Sequence, residues 1–270
     1  MINIGILADW HAGSMYGLWP EGFKGSAGVH VLNVGQCYLL ENWLRIAKAV
    51  PRLDILILNG DEIDGQQPKD EARYLGEVDP KCQAGAALEL LEPWRKRVAK
   101  GGEIYATEGT RYHVGIGATW SEFIAEKMGA VPMRENKYAW DWLLLDVAGK
   151  RLDVAHRQSV TMAYRSMPGE RELNWSELHS DKADLVVRSH AHYYDWLEFA
   201  REDRVQCYLS TPAWQLQNHF CRTSVSPNRK DGTMLGMVVV TISHGEIDKR
   251  RFLFEHPSLR RAEYATSEAG

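Results

Sequence analysis

The chain has 270 residues, 44% of them hydrophobic and 25% charged, which suits a globular protein with a sizeable core. Its net charge of -4 leaves no overall positive field, so long nucleic acid cannot be held by phosphate neutralisation alone. The cysteines Cys37, Cys82, Cys207 and Cys221 show no close pairing, which indicates neither a zinc knuckle nor a disulfide framework and leads us to expect reduced, buried thiols in a cytoplasmic protein.

Met1 to Ala8 lacks a basic start and runs into Asp9 too early for a signal peptide, and no apolar stretch approaches a membrane span. Ile2 to Ala8 reads as the first strand. Asp9-Trp10-His11 follows, and a carboxylate and an imidazole two residues apart at a strand end are expected to point the same way, onto one metal ion. Ser14 to Asn33 is a long excursion without predicted structure, carrying Tyr16, Trp19 and Phe23; such loops are often functional. Gln36 to Val50 places Leu39, Leu40, Trp43, Ile46, Ala47 and Val50 at helical spacing, a core-facing helix. The branched run Leu53 to Leu58, between Pro51 and Gly60, reads as a buried strand of a parallel sheet. It delivers Asn59-Gly60-Asp61-Glu62-Ile63-Asp64-Gly65 to its carboxyl end, where open α/β sheets bind ligands.

Lys81 to Lys100 is a second predicted helix, kinked or restarted at Pro93 and ended by Gly101-Gly102. Glu103 to Thr107 is a strand running into Glu108-Gly109-Thr110-Arg111-Tyr112-His113, and Thr119 or Ser121 caps a short helix through Met128. Tyr138 to Val147 and Leu152 to His156 read as an antiparallel hairpin turning at Gly149-Lys150. Asn174 to Lys182 reads as helix, and Ala183 to Arg188 as a buried strand that closes on Ser189-His190-Ala191-His192. Gln206 to Ser210 and Met234 to Ile242 supply late strands. No repeat or linker divides the chain, so one domain over 1–255 is expected, with a polar, frayed tail over 256–270.

Asp9, His11, Asp61, Asp64, His113, His156, His190 and His192 all fall at a predicted strand end or on the turn after one. Singly, each is an ordinary turn residue or buried histidine. Jointly they make a ligand set of Asp and His without Cys, which suits Mn, Fe, Zn or Ni and suffices for two ions.

Taken in order, Asp9-x-His11, Gly60-Asp61-x-x-Asp64, the glycine turn with His113, the lone His156 and His190-x-His192 resemble the motif series of the calcineurin-like metallophosphoesterase superfamily, over roughly Met1 to His192. The resemblance implies an α/β fold, a four-layer αββα sandwich around two divalent transition-metal ions, with manganese favoured and Ni, Zn or Fe as alternatives. It implies that Asp9, His11 and His192 hold the first ion, that Asp61 bridges, that His156 and His190 hold the second, and that Asp64 orients the site. Two positions depart from the family pattern. Ser189 stands where the family has glycine, and Gly109-Thr110-Arg111-Tyr112-His113 stands in place of Gly-Asn-His-Asp/Glu. Thr110 thus takes the position of a ligating asparagine with a shorter arm, and His113 arrives two residues late, as general acid or as replacement ligand. Gly109-Thr110-x-x-His113-Val114-Gly115, with Asp9-Trp10-His11-Ala12-Gly13-Ser14 and Thr211-Pro212-Ala213-Trp214-Gln215-Leu216, is similar to a subgroup carried by phages and prophages.

The activity so implied is hydrolysis of a phosphodiester in a nucleotide or nucleic acid by a metal-bridging hydroxide, with His113 protonating the departing oxygen. The acidic charge favours short or single-stranded oligonucleotides, cyclic nucleotides or exposed ends. Tyr16, Trp19 and Phe23 are candidates for base stacking, or simply pack their loop; Arg111, Arg157 and Arg222 are phosphate-side candidates or solvated surface. The rival readings are a non-catalytic binding module on the same fold, a phosphomonoesterase, and a metal hydrolase of non-phosphate substrates.

Overall fold

The computed structural model describes residues 1–68, 71–157, 167–179, 182–216 and 234–257. The first of its two large sheets contains β1 (Ile2–Leu7), β4 (Leu53–Asn59), β5 (Val98–Thr107), β6 (Ala139–Trp140), β12 (Leu235–Ser243) and β13 (Glu246–Phe254), in the spatial order β13-β12-β1-β4-β5-β6. The second contains β7 (Leu143–Val147), β8 (Lys150–Val154), β9 (Leu185–Arg188), β10 (Asp195–Ala200) and β11 (Val205–Ser210), in the order β10-β11-β9-β8-β7. Both sheets are mixed. In the first, β1, β4, β5 and β6 run parallel; in the second, β8, β9 and β11 do. Parallel strands end on one edge, so each sheet delivers its loops there together.

Strand alternation sorts the side chains into cores. Ile4, Ile6, Ile55, Ile57, Val238 and Val240 face Leu152, Val154, Leu185, Val187, Cys207 and Leu209 between the sheets. On the other side of the first sheet, Leu56, Leu58, Met237 and Val239 meet the apolar faces of α1 (Val34–Ala49), α2 (Pro80–Arg95) and α4 (Thr119–Met128). On the far side of the second sheet, Val186 and Tyr208 meet Leu173 of α5 (Met167–Leu178). Trp43, Trp94 and Trp214 interlock edge to face at 4.7–6.3 Å in the helical core. Trp214 therefore serves packing, which fixes the segment behind it.

Several boundaries differ from the sequence expectations, each for a physical reason. The helix expected from Gln36 starts at Val34, because Asn33 and Gln36 form a reciprocal capping box. The helix expected to reach Lys100 stops at Arg95, and β5 begins at Val98, ahead of the glycine pair expected to end the helix. Val98 pairs with Leu53, and the register shifts before Ile55 pairs with Glu103, so Gly101-Gly102 lie within a bulged strand. The stretch Tyr138 to Val147 is not one hairpin arm. Ala139–Trp140 joins the first sheet beside β5, the chain crosses over at Asp141-Trp142, and only Leu143–Val147 forms a hairpin with β8. Alternation alone carries no sign of a change of sheet. The helix expected over Asn174 to Lys182 is α5, ending at Leu178. The polar edge strand β13 and the strand β10 were not expected, nor was α3 (Arg111–Val114), a single turn carrying His113.

The excursion Ser14 to Asn33 holds a two-stranded ribbon, β2 (Lys24–Gly25) and β3 (Gly28–Val29). Leu18 and Trp19 are buried, and Trp19 sits edge-on to Phe23, so these aromatics pin the loop down. Cys37, Cys82 and Cys207 are free thiols, exposed, half-buried and buried in turn, so the expected burial holds for Cys207 alone of the three; Cys221, Arg222 and residues 258–270 of the expected tail lie outside the described residues. Among the described residues, no helix is long and apolar enough to cross a membrane.

Candidate metal centre

The loops leaving β1, β4, β5, β8 and β9 bring the eight candidate residues together. The backbone does this by an unusual route. Asp9, His11, Asp61, His190 and His192 all have positive φ, between 44° and 69°. For a residue with a Cβ this left-handed conformation costs roughly 1–2 kcal/mol, so five of them together represent strain that the surroundings must offset. The strand-end alternation expected for Asp9 and His11 is thus replaced by two sharp turns that fold both side chains inward.

Inter-loop hydrogen bonds supply the offset. Asp9 N–H donates to the Gly60 carbonyl (3.1 Å), His11 N–H to that of Asp61 (3.2 Å), and Asp64 N–H to that of Ala12 (3.0 Å). From the other side, Trp214 N–H donates to the Asp9 carbonyl (3.0 Å), and Gln215 Nε2 reaches Ser14 Oγ (3.3 Å). Asn59 ties the sheets together: its amide donates to Ser189 Oγ (2.5 Å) and its oxygen accepts from Thr107 (2.6 Å). Ser189, where the sequence resemblance implied glycine, thus has its own bond, and a second with Thr211 at 2.7 Å.

The side chains form two overlapping donor groups. Asp9, Asp61, His156 and His190 make the first; Asp9, His11 and His192 make the second. In the first, His156 Nε2 lies 2.9 Å from Asp61 Oδ2 and 3.8 Å from Asp9 Oδ1, and His190 Nδ1 lies 3.7 Å from Asp61 Oδ2. In the second, His192 Nε2 lies 3.1 Å from Asp9 Oδ1 and 3.2 Å from His11 Nε2. The donor common to both groups is Asp9, whereas the resemblance implied that Asp61 does the sharing. Asp61 is otherwise engaged: Thr110 donates to it from its backbone N–H (2.6 Å to Oδ1) and its hydroxyl (3.0 Å to Oδ2). Gly109 makes this approach possible, since a Cβ there would lie 2.5 Å from both Asp61 N and Oδ1.

These residues fit divalent ions. Asp9 Oδ1, His156 Nε2 and His190 Nδ1 are buried without a hydrogen-bond partner among the described residues. Their neighbours use up the other atoms: His190 N–H donates to Asp9 Oδ2 (3.2 Å), and His156 Nδ1–H donates to the Asn59 carbonyl (2.6 Å). A carbonyl only accepts, so Nδ1 keeps its proton there and Nε2 is the nitrogen that faces the centre, free to ligate once its own proton has left. His11 likewise directs Nδ1 to Asp64 Oδ1 (3.1 Å), leaving Nε2 inward. Donor atoms around an ion at about 2.1 Å stand about 3.0–3.4 Å apart, close to the 2.9–3.8 Å separations here.

A third group joins His11, Asp64 and His113. His113 Nδ1 donates to the Asp64 carbonyl (2.9 Å), and its ring meets that of His11 edge-on at 4.5 Å. His113 therefore stands beside His11, while Thr110 stands against Asp61. Asp64 also accepts from Gln67, which holds it in place. The side chains of Asp9, Asp61 and His156 are sealed from solvent, and His190, His113 and His192 form the open side, at 39%, 17% and 15% exposure.

Burial opposes charge in Asp9, His11, Asp61, Asp64, His156 and His192, but mutual pairing outweighs it in all of these except His192. Asp9, Asp61 and Asp64 are held well below the ordinary carboxylate range by the imidazoles around them. Against burial, the hydrogen bond to Asp64 and the nearby Asp9 carboxylate raise His11 to about 10, and the charges of Asp61 and Asp9 raise His156 to about 9. Burial lowers His192. Glu62, which no sequence motif singled out, is fully buried and pushed up to about 7 by burial; it accepts from Ser121 Oγ (2.7 Å), which accepts from Gly109 N–H (3.2 Å). Gln83 was also missed: it clamps Gly65 from both sides at 2.8 Å. An acid or amide with no periodic partner in the sequence gives no signal of such a role.

Neither a protein-family model nor a curated protein matches the sequence. Among solved structures, the fold is similar to an archaeal phosphodiesterase (9% identity, 94% of this chain and 100% of that one, TM-score 0.44). It is similar to zinc-complexed Vps29 of Entamoeba histolytica (10% identity, 94% and 99%, TM-score 0.43). A conserved Streptococcus pneumoniae protein predicted to be a phosphoesterase gives 10% identity, 96% and 94% coverage, and a TM-score of 0.39. Likeness at this distance carries no residue-level correspondence, and the site stands on its own side chains.

Proposed function

We propose that the protein is a dinuclear metal-dependent phosphoesterase built on a four-layer αββα sandwich, and that it hydrolyses phosphodiester bonds in nucleotides or short nucleic acids. The observation that supports this most directly is Asp9 Oδ1, a buried carboxylate oxygen that belongs to two adjacent Asp/His donor groups. Asp9, Asp61, His156 and His190 would hold one ion, and Asp9, His11 and His192 the other. Two such ions supply Lewis-acid activation of water and neutralise charge on phosphate oxygens. The protein's own contribution is to fix imidazole tautomers through Asn59 and Asp64, to dehydrate the Asp9 and Asp61 side, and to leave His190, His192 and His113 facing the substrate. His113, with Nδ1–H committed to the Asp64 carbonyl, would use its other ring nitrogen, Nε2, to carry a proton to a departing oxygen. Manganese as the resident ion, the nucleotide diester and the phage-type attribution belong to the same reading and rest on the sequence motifs; work in the cytoplasm belongs to it too and rests on the spacing of the cysteines.

The test pairs metal content with turnover. Stripped protein is reloaded with Mn, Ni, Zn or Mg and assayed on bis(nitrophenyl) phosphate and nitrophenyl phosphate. Two ions per chain and preference for the diester are expected, with Asp61→Asn losing both occupancy and activity. One ion or none under metal excess refutes the centre. Two ions without turnover of either ester would favour the binding-module reading, and preference for the monoester would refute the substrate class. His113→Ala should slow poor leaving groups more than nitrophenyl esters at unchanged metal content; loss of an ion instead would make it a ligand.

A further inference from the structure

The residue after Asp61 carries the same kind of group but turns it away from the donor groups. Glu62 is fully buried, belongs to neither of them, and meets Ser121 of α4 instead. One carboxylate oxygen, Oε2, accepts from Ser121 Oγ at 2.7 Å. The other, Oε1, is buried with no hydrogen-bond partner among the described residues. A carboxyl group taken out of water with one oxygen unpaired costs stability, whether ionised or protonated. An apolar side chain of similar volume would avoid that cost, so packing alone gives no reason for an acid here.

Ser121 is fully buried too, and it does not cap its own helix as the sequence led us to expect. The N-cap of α4 is Ala118, in the left-handed conformation at φ 54°, and the Thr119 hydroxyl donates to the Ile116 carbonyl (2.8 Å). The one hydroxyl proton of Ser121 goes to Glu62, and its oxygen accepts from Gly109 N–H at 3.2 Å. Gly109 leads into Thr110, which returns to Asp61 through its N–H (2.6 Å) and its hydroxyl (3.0 Å). A ring is thereby closed from Asp61 through Glu62, Ser121, Gly109 and Thr110 back to Asp61. Two neighbours on the turn after β4 hold the turn after β5 from both ends. The ring has little slack, since a Cβ on Gly109 would lie 2.5 Å from Asp61 Oδ1 and 2.8 Å from Val114 Cγ1.

We propose that Glu62 is a positioning residue of the metal centre: acting through Ser121, it fixes the Gly109-Thr110 turn so that Thr110 holds Asp61 for the first donor group. The proposal rests on the two-ion reading of the centre. Thr110 donates to both carboxylate oxygens, so Asp61 cannot swing toward the second group without breaking charge-assisted hydrogen bonds. Asp61 Oδ2 then stays beside His156 at 2.9 Å, and Asp9 remains the donor common to both groups. When Glu62 is lost, the Ser121 hydroxyl is free to rotate, Gly109 N–H loses its fixed acceptor, and the first donor group loosens. The second group, Asp9, His11 and His192, has no bond within the ring.

Calorimetric titration of the stripped full chain with zinc tests this, with Asp61→Asn marking which binding step belongs to the first donor group. Ser121→Ala and Glu62→Leu should each weaken that step about tenfold or more and leave the other step nearly unchanged. Glu62→Gln, whose amide oxygen still accepts from Ser121, should restore most of the affinity. Ser121→Ala and Thr110→Val break the same ring, so together they should lose little more than the larger single variant, where independent effects would multiply. In stripped protein, amide exchange at Thr110 should quicken in Ser121→Ala, a readout that needs no metal. Circular dichroism and urea unfolding check the fold of each variant. An unchanged first step in Ser121→Ala overturns the proposal, as do multiplying losses in the double variant and unchanged exchange at Thr110. Equal weakening of both steps in line with a lower urea midpoint marks a structural role and overturns it too. Two steps without turnover of bis(nitrophenyl) phosphate sink the phosphoesterase reading alone. Two steps that Ser121→Ala leaves unchanged sink the positioning role alone, and fewer than two steps in the unsubstituted protein sink both.

Discussion

Metal binding to this centre should be steeply dependent on pH, with a slope set by two protons. In the metal-free protein at pH 7, Asp9, Asp61 and Asp64 are already ionised and His192 is pushed toward its neutral form. His11, raised to about 10, and His156, raised to about 9, each carry a proton on a nitrogen that has to ligate. Both protons must leave before both ions bind, since only neutral imidazole coordinates. Each released proton changes the apparent constant about tenfold per pH unit, so the product of the two site constants should rise about a hundredfold between pH 7 and pH 8. Calorimetric titration with zinc or manganese in buffers of different ionisation enthalpy counts the protons directly. A count near two is expected for the unsubstituted protein, falling to about one in His156→Asn. A count near zero, with affinity flat across that pH unit, would refute the pairing of carboxylates and imidazoles as the state of the metal-free site.

The same two histidines should stabilise the stripped protein in acid rather than in base. Their folded pKa values lie above the unfolded value of about 6.5, so the contribution is complete below that pH and is lost as pH rises through about 9 and about 10. Thermal unfolding of stripped protein should therefore show a falling midpoint from pH 6.5 to pH 10, and a flat profile would contradict the assignment. Gly109→Ala places a Cβ 2.5 Å from Asp61 Oδ1 and should cost about 1–3 kcal/mol in urea unfolding together with the first ion. Arg188→Leu strands two acids, Asp153 at 1% exposure and Glu172 at 17%, and should destabilise by about 3–5 kcal/mol. Because the pair is then absent, the double variant Arg188→Leu/Asp153→Leu should recover part of that loss.

The residue types and their order along the chain were enough to name every member of the donor groups. An aspartate or histidine at the end of a branched apolar run is legible because burial of the run is local and periodic. Leu53 to Leu58 had to be a central strand, and what followed it had to sit at a sheet edge. The two core-facing helices over Trp43 and Trp94 were legible for the same reason, at a period of 3.6 instead of 2. What the chain could not disclose by itself depends on contacts between distant loops. That the stretch from Ala139 to Val147 serves two sheets, that Asp9 is the shared donor, that Thr110 covers Asp61 while His113 joins His11, and that Ser189 bonds to Asn59 all follow from which loops meet. The left-handed backbone of five candidate donor residues belongs to this class as well, because no Asp or His prefers it alone and the bonds from the facing loops offset its cost. So does the ring that runs from Glu62 through Ser121 and Gly109 to Asp61. Its members come from the turn after β4, from α4 and from the turn after β5, and what a buried acid holds is visible only once those segments meet.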